Sequence, residues 1–126
     1  MKIIINTKNA PAPIGPYSQA VLNGGMLYTS GQIAIDPKTG NLNTENIIAE
    51  TKTVMENLKA VLKEAGMTFE NVLKASIFIS DMNDFAAINA VYATYFNEAT
   101  APARETVEVA NLPKYVNVEI SVIAAL

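Results

Sequence analysis

The 126-residue chain has no cysteine and no histidine, and of its nine basic residues only Arg104 is arginine. Without Cys or His it cannot build a disulfide framework, a thiolate or imidazole metal site, a Cys nucleophile or a Ser-His-Asp triad. General acid-base work is left to carboxylates, Lys, Tyr and water, and a metal site would have to be all oxygen. The turn at residues 36–40 lacks the acidic spacing of a calcium loop, and no G-x-G-x-x-G or Walker pattern occurs. Neither a metal nor a cofactor is expected. The net charge of −3 and the scarcity of arginine give no broad basic face, so nucleic acid is not an expected partner. The apolar run Ile3-Ile4-Ile5 is too short for a signal-peptide core, and no run approaches the roughly eighteen apolar residues of a membrane helix. The expectation is a cytoplasmic protein with no membrane partner.

Half of the residues are hydrophobic and 17% are charged, which fits one compact soluble domain over residues 1–126 and argues against disorder. Three prolines within residues 11–16 make that passage a loop. Residues 18–22 and 26–33 read as strands around Asn23-Gly24-Gly25, a hairpin turn because these residues tolerate positive φ. A second turn is expected at Asp36-Pro37-Lys38-Thr39-Gly40. From Thr44 the period changes to three and four: Ile47, Thr51, Val54, Met55, Leu58, Val61, Leu62 and Ala65 form an apolar stripe, with Glu50, Lys52, Glu56, Lys59 and Lys63 elsewhere on the wheel and Gly66 as the stop. Residues 72–80 predict a strand apolar on both faces. Asn83 predicts the cap of a second helix that buries Phe85, Ile88, Tyr92, Tyr95 and Phe96. Residues 104–110 and 116–125 predict two last strands. The fold class is therefore α+β: a mixed sheet with two helices on one face. Apolar residues on both strand faces suggest that another subunit covers the open side.

The candidate chemistry lies in the last two strands. Arg104, Thr106 and Glu108 share one face of the first strand if Val107 and Val109 face a core, and Asn117, Glu119 and Ser121 share one face of the second. Antiparallel pairing of the two would set Thr106 opposite Glu119 and Arg104 opposite Ser121, leaving room for a small ligand between the charges. Arg104 would then bind a carboxylate and Glu119 a water, or the two would simply pair with each other or face solvent. Tyr17 either presents its phenol to a site or packs the Pro-rich loop. Ser30-Gly31 marks either an anion-binding backbone or only a bulge. Asn89 is a cap partner or a site residue, and Tyr92, Tyr95 and Phe96 read as helix core.

The strings Ile14-Gly15-Pro16-Tyr17-Ser18-Gln19-Ala20, Ser30-Gly31-Gln32-Ile33, Asp81-Met82-Asn83-Asp84-Phe85, Pro102-Ala103-Arg104, and Leu112-Pro113-Lys114 followed by Val118-Glu119-Ile120 occur in this order across nearly the whole chain. The series resembles the RidA family, also called the YjgF family. The resemblance implies a chorismate-mutase-like fold, a homotrimer with clefts between subunits, and hydrolysis of 2-iminobutanoate and 2-iminopropanoate to 2-oxo acids and ammonia without a cofactor. These imines and their enamines arise from PLP-dependent dehydratases, and their removal protects other PLP enzymes. It further implies that Arg104 binds the substrate carboxylate, that Glu119 positions the attacking water, and that Tyr17, Ser30, Gly31, Asn89 and Pro113 line the cleft. Many members carry Cys where this chain has Thr106, which bears on substrate preference. Two rivals stand beside this: chorismate mutase, disfavoured by the single arginine unless Lys114 assists, and a trimeric small-carboxylate-binding, chaperone or regulatory module without catalysis.

Overall fold

The computed structural model describes residues 1–126. Six strands form one mixed sheet: β1 (Ile3–Ile5), β2 (Ala20–Asn23), β3 (Met26–Thr29), β4 (Val72–Ile79), β5 (Ala103–Glu108) and β6 (Val118–Ala125), in the spatial order β1-β2-β3-β6-β4-β5. Two helices, α1 (Ile47–Glu64) and α2 (Phe85–Ala93), pack together over one face. The expected α+β architecture is present.

Local chemistry explains most of the elements. Asn23 pairs with Met26 across Gly24 and Gly25, whose φ of 58° and 79° make the tight turn that twisted strands favour. Asn46 caps α1 by accepting from the Ala49 N–H at 2.8 Å, and Gly66 at φ 75° follows its end. The stripe from Thr51 to Leu62 enters the core beside Ile77, Ile79, Val118, Ile120 and Val122. Strand alternation sends these sheet residues towards the helices and leaves Ser76, Phe78, Glu119 and Ser121 on the open face.

Several expectations need correction. The strand expected over residues 26–33 ends at Thr29, after which only Gln32 bridges to Ile120. Asp81, not Asn83, caps the entry to the second helix: its side chain accepts from the Asn83 N–H, a 3₁₀ turn covers Met82–Asp84, and α2 starts at Phe85. The last two strands do not pair with each other. Strand β4 lies between them, antiparallel to β6 and parallel to β5, so Phe78 rather than Thr106 stands opposite Glu119, and Ala75 stands opposite Arg104. Their connection is a loop with a 3₁₀ turn at Pro113–Tyr115 that passes the C-terminal end of β4, where the Val109 N–H donates to the Ile79 carbonyl and the Ser80 N–H to the Asn117 carbonyl, not a hairpin. Val107 is 43% exposed on the open face of the edge strand rather than in the core.

Glu50 is the largest departure. It is fully buried, on the apolar stripe of α1, where Ile47, Glu50, Val54 and Leu58 follow steps of three and four. Its carboxylate accepts from the Asn117 N–H at 2.7 Å, from Asn117 Nδ2 at 2.7 Å and from the Val118 N–H at 3.2 Å. A helix side chain thereby anchors the backbone that leads into Glu119.

Candidate active site

Two separate clusters hold the candidate residues. The first is a cavity of about 410 Å³ on the Glu119 side, into which Tyr17, Ser30, Gly31, Pro113 and Glu119 all face. The Pro-rich loop reaches it because buried Gln19 clamps that loop: Gln19 Oε1 accepts from the Thr7 N–H at 2.7 Å, while Nε2 donates to the carbonyls of Thr7 and Pro11 at 3.0 and 2.9 Å. Ser30 Oγ donates to the Ser18 carbonyl, and the Ser30 N–H to the Gln19 carbonyl at 2.9 Å. Beyond it, Gln32 exchanges two backbone hydrogen bonds with Ile120, at 2.8 and 3.1 Å, which lays Gly31 against Glu119.

Gly31 is therefore more than a bulge. A Cβ at this position would stand 2.5 Å from Glu119 Oε1, so only glycine leaves the carboxylate its place. Burial pushes the Glu119 carboxyl above its ordinary value. No cation lies within ion-pair distance of it, the chain's one ion pair being Lys74 with Glu105 at 2.9 Å. Lys114 lines the same cavity with φ at 55°, and Tyr115 follows at the same φ. Two successive left-handed non-glycine residues are strained backbone of the kind that gathers at functional sites.

The second cluster surrounds Arg104 on the helix side. Its Nη1 donates to Asn89 Oδ1 at 2.7 Å, and its Cζ lies 5.0 Å from the Tyr92 ring centroid and 5.6 Å from that of Phe85. Asn89 thus serves the arginine rather than a helix cap. Thr106 lies two residues along β5 on the same face, and its hydroxyl is buried without a partner. The Tyr92 hydroxyl is likewise buried and unpartnered; burial pushes its phenol up, opposed by the Arg104 charge.

Arg104 and Glu119 accordingly neither pair nor share a ligand within one chain. They belong to opposite faces of the sheet, two strands apart. Sequence reasoning missed Glu50, Gln19 and the role of Tyr92 beside Arg104. The i, i+3, i+4 stripe of α1 already contains Glu50, whereas nothing local marks Gln19 or Tyr92. No group of three or more carboxylates comes together in a way that could hold a metal ion.

The family described as Endoribonuclease L-PSP matches residues 7–126. A RutC family protein of Synechocystis is 57% identical over 124 residues, covering 98% of this chain and 95% of that protein. The 2-iminobutanoate/2-iminopropanoate deaminase of Salmonella typhimurium is 49% identical over 126 residues, covering 98% of each. The crystal structure of Escherichia coli TdcF with bound serine superposes with a TM-score of 0.92 at 44% identity, covering 98% of each chain. With the family model covering residues 7–126 and relatives about half identical along nearly the whole chain, the chain belongs to the Endoribonuclease L-PSP family, which includes the RidA and YjgF proteins.

Proposed function

We propose that this protein hydrolyses small reactive 2-imino acids, 2-iminobutanoate and 2-iminopropanoate, to 2-oxo acids and ammonia, at sites completed between the subunits of a homotrimer. The observation that carries this reading is the division of the machinery. An arginine without a carboxylate partner lies on one face of the sheet, and a half-buried carboxylate without a cation lies on the other. A second copy that set its Arg104 edge against the Glu119 cavity would unite them. Relatives named 2-iminobutanoate/2-iminopropanoate deaminase support the substrate class.

The chemistry suits a chain without His or Cys. An imine conjugated to a carboxylate is already electrophilic, so positioning and electrostatics suffice. Arg104 takes the substrate carboxylate through two parallel N–H···O bonds. Ionised Glu119 accepts a proton from water as the water oxygen bonds to C2 and the C=N electron pair moves to nitrogen, giving a carbinolamine. Glu119 returns that proton to the nitrogen, and the carbinolamine hydroxyl then passes its own proton, through Glu119, to the same nitrogen as the C–N bond breaks and the C=O bond forms, so that the leaving group is neutral ammonia. One imine and one water give one 2-oxo acid and one ammonia. Burial brings the Glu119 carboxyl nearer the working pH, where a carboxylate is a stronger base. Tyr17, Ser30, Gly31 and Pro113 bound the water side, while Asn89 and Thr106 flank the carboxylate side. Such removal would protect PLP enzymes from these electrophiles.

A threonine dehydratase supplies the imine for the test, with a nucleophilic trap to follow its decay. The wild-type protein should accelerate formation of 2-oxobutanoate, and Arg104→Ala should return it to the protein-free rate. A wild-type trace that overlays the protein-free control overturns the hydrolase. The binding module without catalysis then takes its place.

A further inference from the structure

The Arg104 guanidinium is held without any carboxylate. Its supports are Phe85, Asn89 and Tyr92, which steps of four and three place on one face of α2. Asn89 uses one of the five guanidinium N–H donors, so the fork formed by Nε and Nη2 carries no hydrogen bond. An acidic support would occupy that fork and cancel the charge, whereas an aromatic face supports the cation and leaves the fork open. Of the two rings, Tyr92 is both nearer and more firmly held. It is 5% exposed, joins the hydrophobic core, and packs at a tilt of 38° against Phe96 with 4.7 Å between centroids.

We propose that Tyr92 is the positioning residue for substrate carboxylate recognition: its ring face orients the Arg104 fork, and its hydroxyl takes no part. This deepens the reading of Arg104 as the carboxylate anchor and rests on it. The unpartnered hydroxyl is the observation that separates ring from phenol. If the ring alone acts, phenylalanine replaces tyrosine without loss, and removal of a buried hydroxyl with no hydrogen bond stabilises the fold. An aliphatic residue keeps the core apolar and removes the cation's support.

The test compares Tyr92→Phe, Tyr92→Leu and, as a control for lost core packing on the other helix, Val61→Ala. Three quantities are read: affinity for 2-oxobutanoate by titration calorimetry, kcat and KM in the dehydratase-coupled assay, and the thermal midpoint. Tyr92→Phe should bind as the wild type does and melt higher. Tyr92→Leu should weaken binding and raise KM by roughly three- to tenfold with kcat unchanged, and Tyr92→Met serves if that variant does not fold. Val61→Ala should lower the midpoint without moving KM. Wild-type affinity in Tyr92→Leu, or lost affinity in Tyr92→Phe, overturns the proposal. If the wild type binds 2-oxobutanoate through Arg104 but hydrolyses no imine, the deaminase reading falls and the calorimetric arm alone decides for or against Tyr92. If the wild type hydrolyses the imine but binds no 2-oxobutanoate, the KM arm alone decides for or against Tyr92, and a wild type that does neither overturns both readings.

Discussion

The Glu119 carboxylate fills the space that any side chain on residue 31 would need: a Cβ on Gly31 would lie 2.5 Å from Oε1, 2.7 Å from Cδ and 2.9 Å from Cγ of Glu119. The atoms in the way belong to a side chain that can swing aside, not to backbone. Gly31→Ala should therefore displace the carboxylate while leaving the fold nearly intact. A shift of about 1 Å in a reacting group lowers turnover on the order of a hundredfold. Steady-state kinetics beside a thermal melt checks this, with a large fall in kcat and little change in midpoint as the expected pair.

Glu119→Gln should lose about a hundredfold or more in kcat, the usual contribution of a positioned base. Its stability should move the other way. Burial disfavours the charged form, so the folded state holds the Glu119 proton more tightly than the unfolded chain does. The stabilising contribution is complete below the ordinary value of 4.5 and is lost as pH rises through the higher folded value. At neutral pH the wild type carries the desolvation penalty and the amide does not. Melting curves should show Glu119→Gln above the wild type at neutral pH, with the gap closing in acid. The acid limb of the wild-type rate profile should likewise lie above pH 4.5.

Subunit mixing tests whether the site is shared between copies. Arg104→Ala and Glu119→Gln homo-oligomers should each be inactive. When they are unfolded, mixed equally and refolded, about a quarter of the sites should pair an intact Arg104 with an intact Glu119 from a neighbour. Recovery of about that fraction of wild-type activity is expected, and a mixture as inactive as its parents excludes the shared site.

Glu50→Ala should destabilise strongly. It would leave the Asn117 N–H, Asn117 Nδ2 and the Val118 N–H without their acceptor beneath the helices. Buried donors left unpaired cost about 1–3 kcal/mol each. Urea unfolding should show a loss of about 3 kcal/mol or more, and a loss within a few tenths would mean that the network relaxes around the gap.

Part of this protein is legible in its sequence because the signals are short-range. The turn Asn23-Gly24-Gly25, the Asn46-to-Gly66 helix with its apolar stripe, and the alternation of Val118 to Val122 against Glu119 and Ser121 each depend on neighbours within a few residues. The ordered motifs likewise pointed to the family, and Arg104 stood out as the sole arginine.

Strand order was not legible, and the site depends on it. Residues 103–108 and 118–125 look like a hairpin because they are close in sequence and alternate alike, yet β4 separates them and pairs with both. Local pattern sets which residues share a face of a strand, but not which strand lies beside it, since that is decided by packing of the whole core. Glu50 shows the same limit, because a carboxylate on an apolar stripe is tolerated only through backbone donors 67 and 68 residues away. The sequence by itself determined most of the elements, the apolar faces of α1 and β6 and the residue types available for chemistry, all set by local sterics and periodicity. Only the tertiary structure decided that Arg104 and Glu119 lie on opposite faces, because one intervening strand separates their strands and each strand's register selects the face it presents.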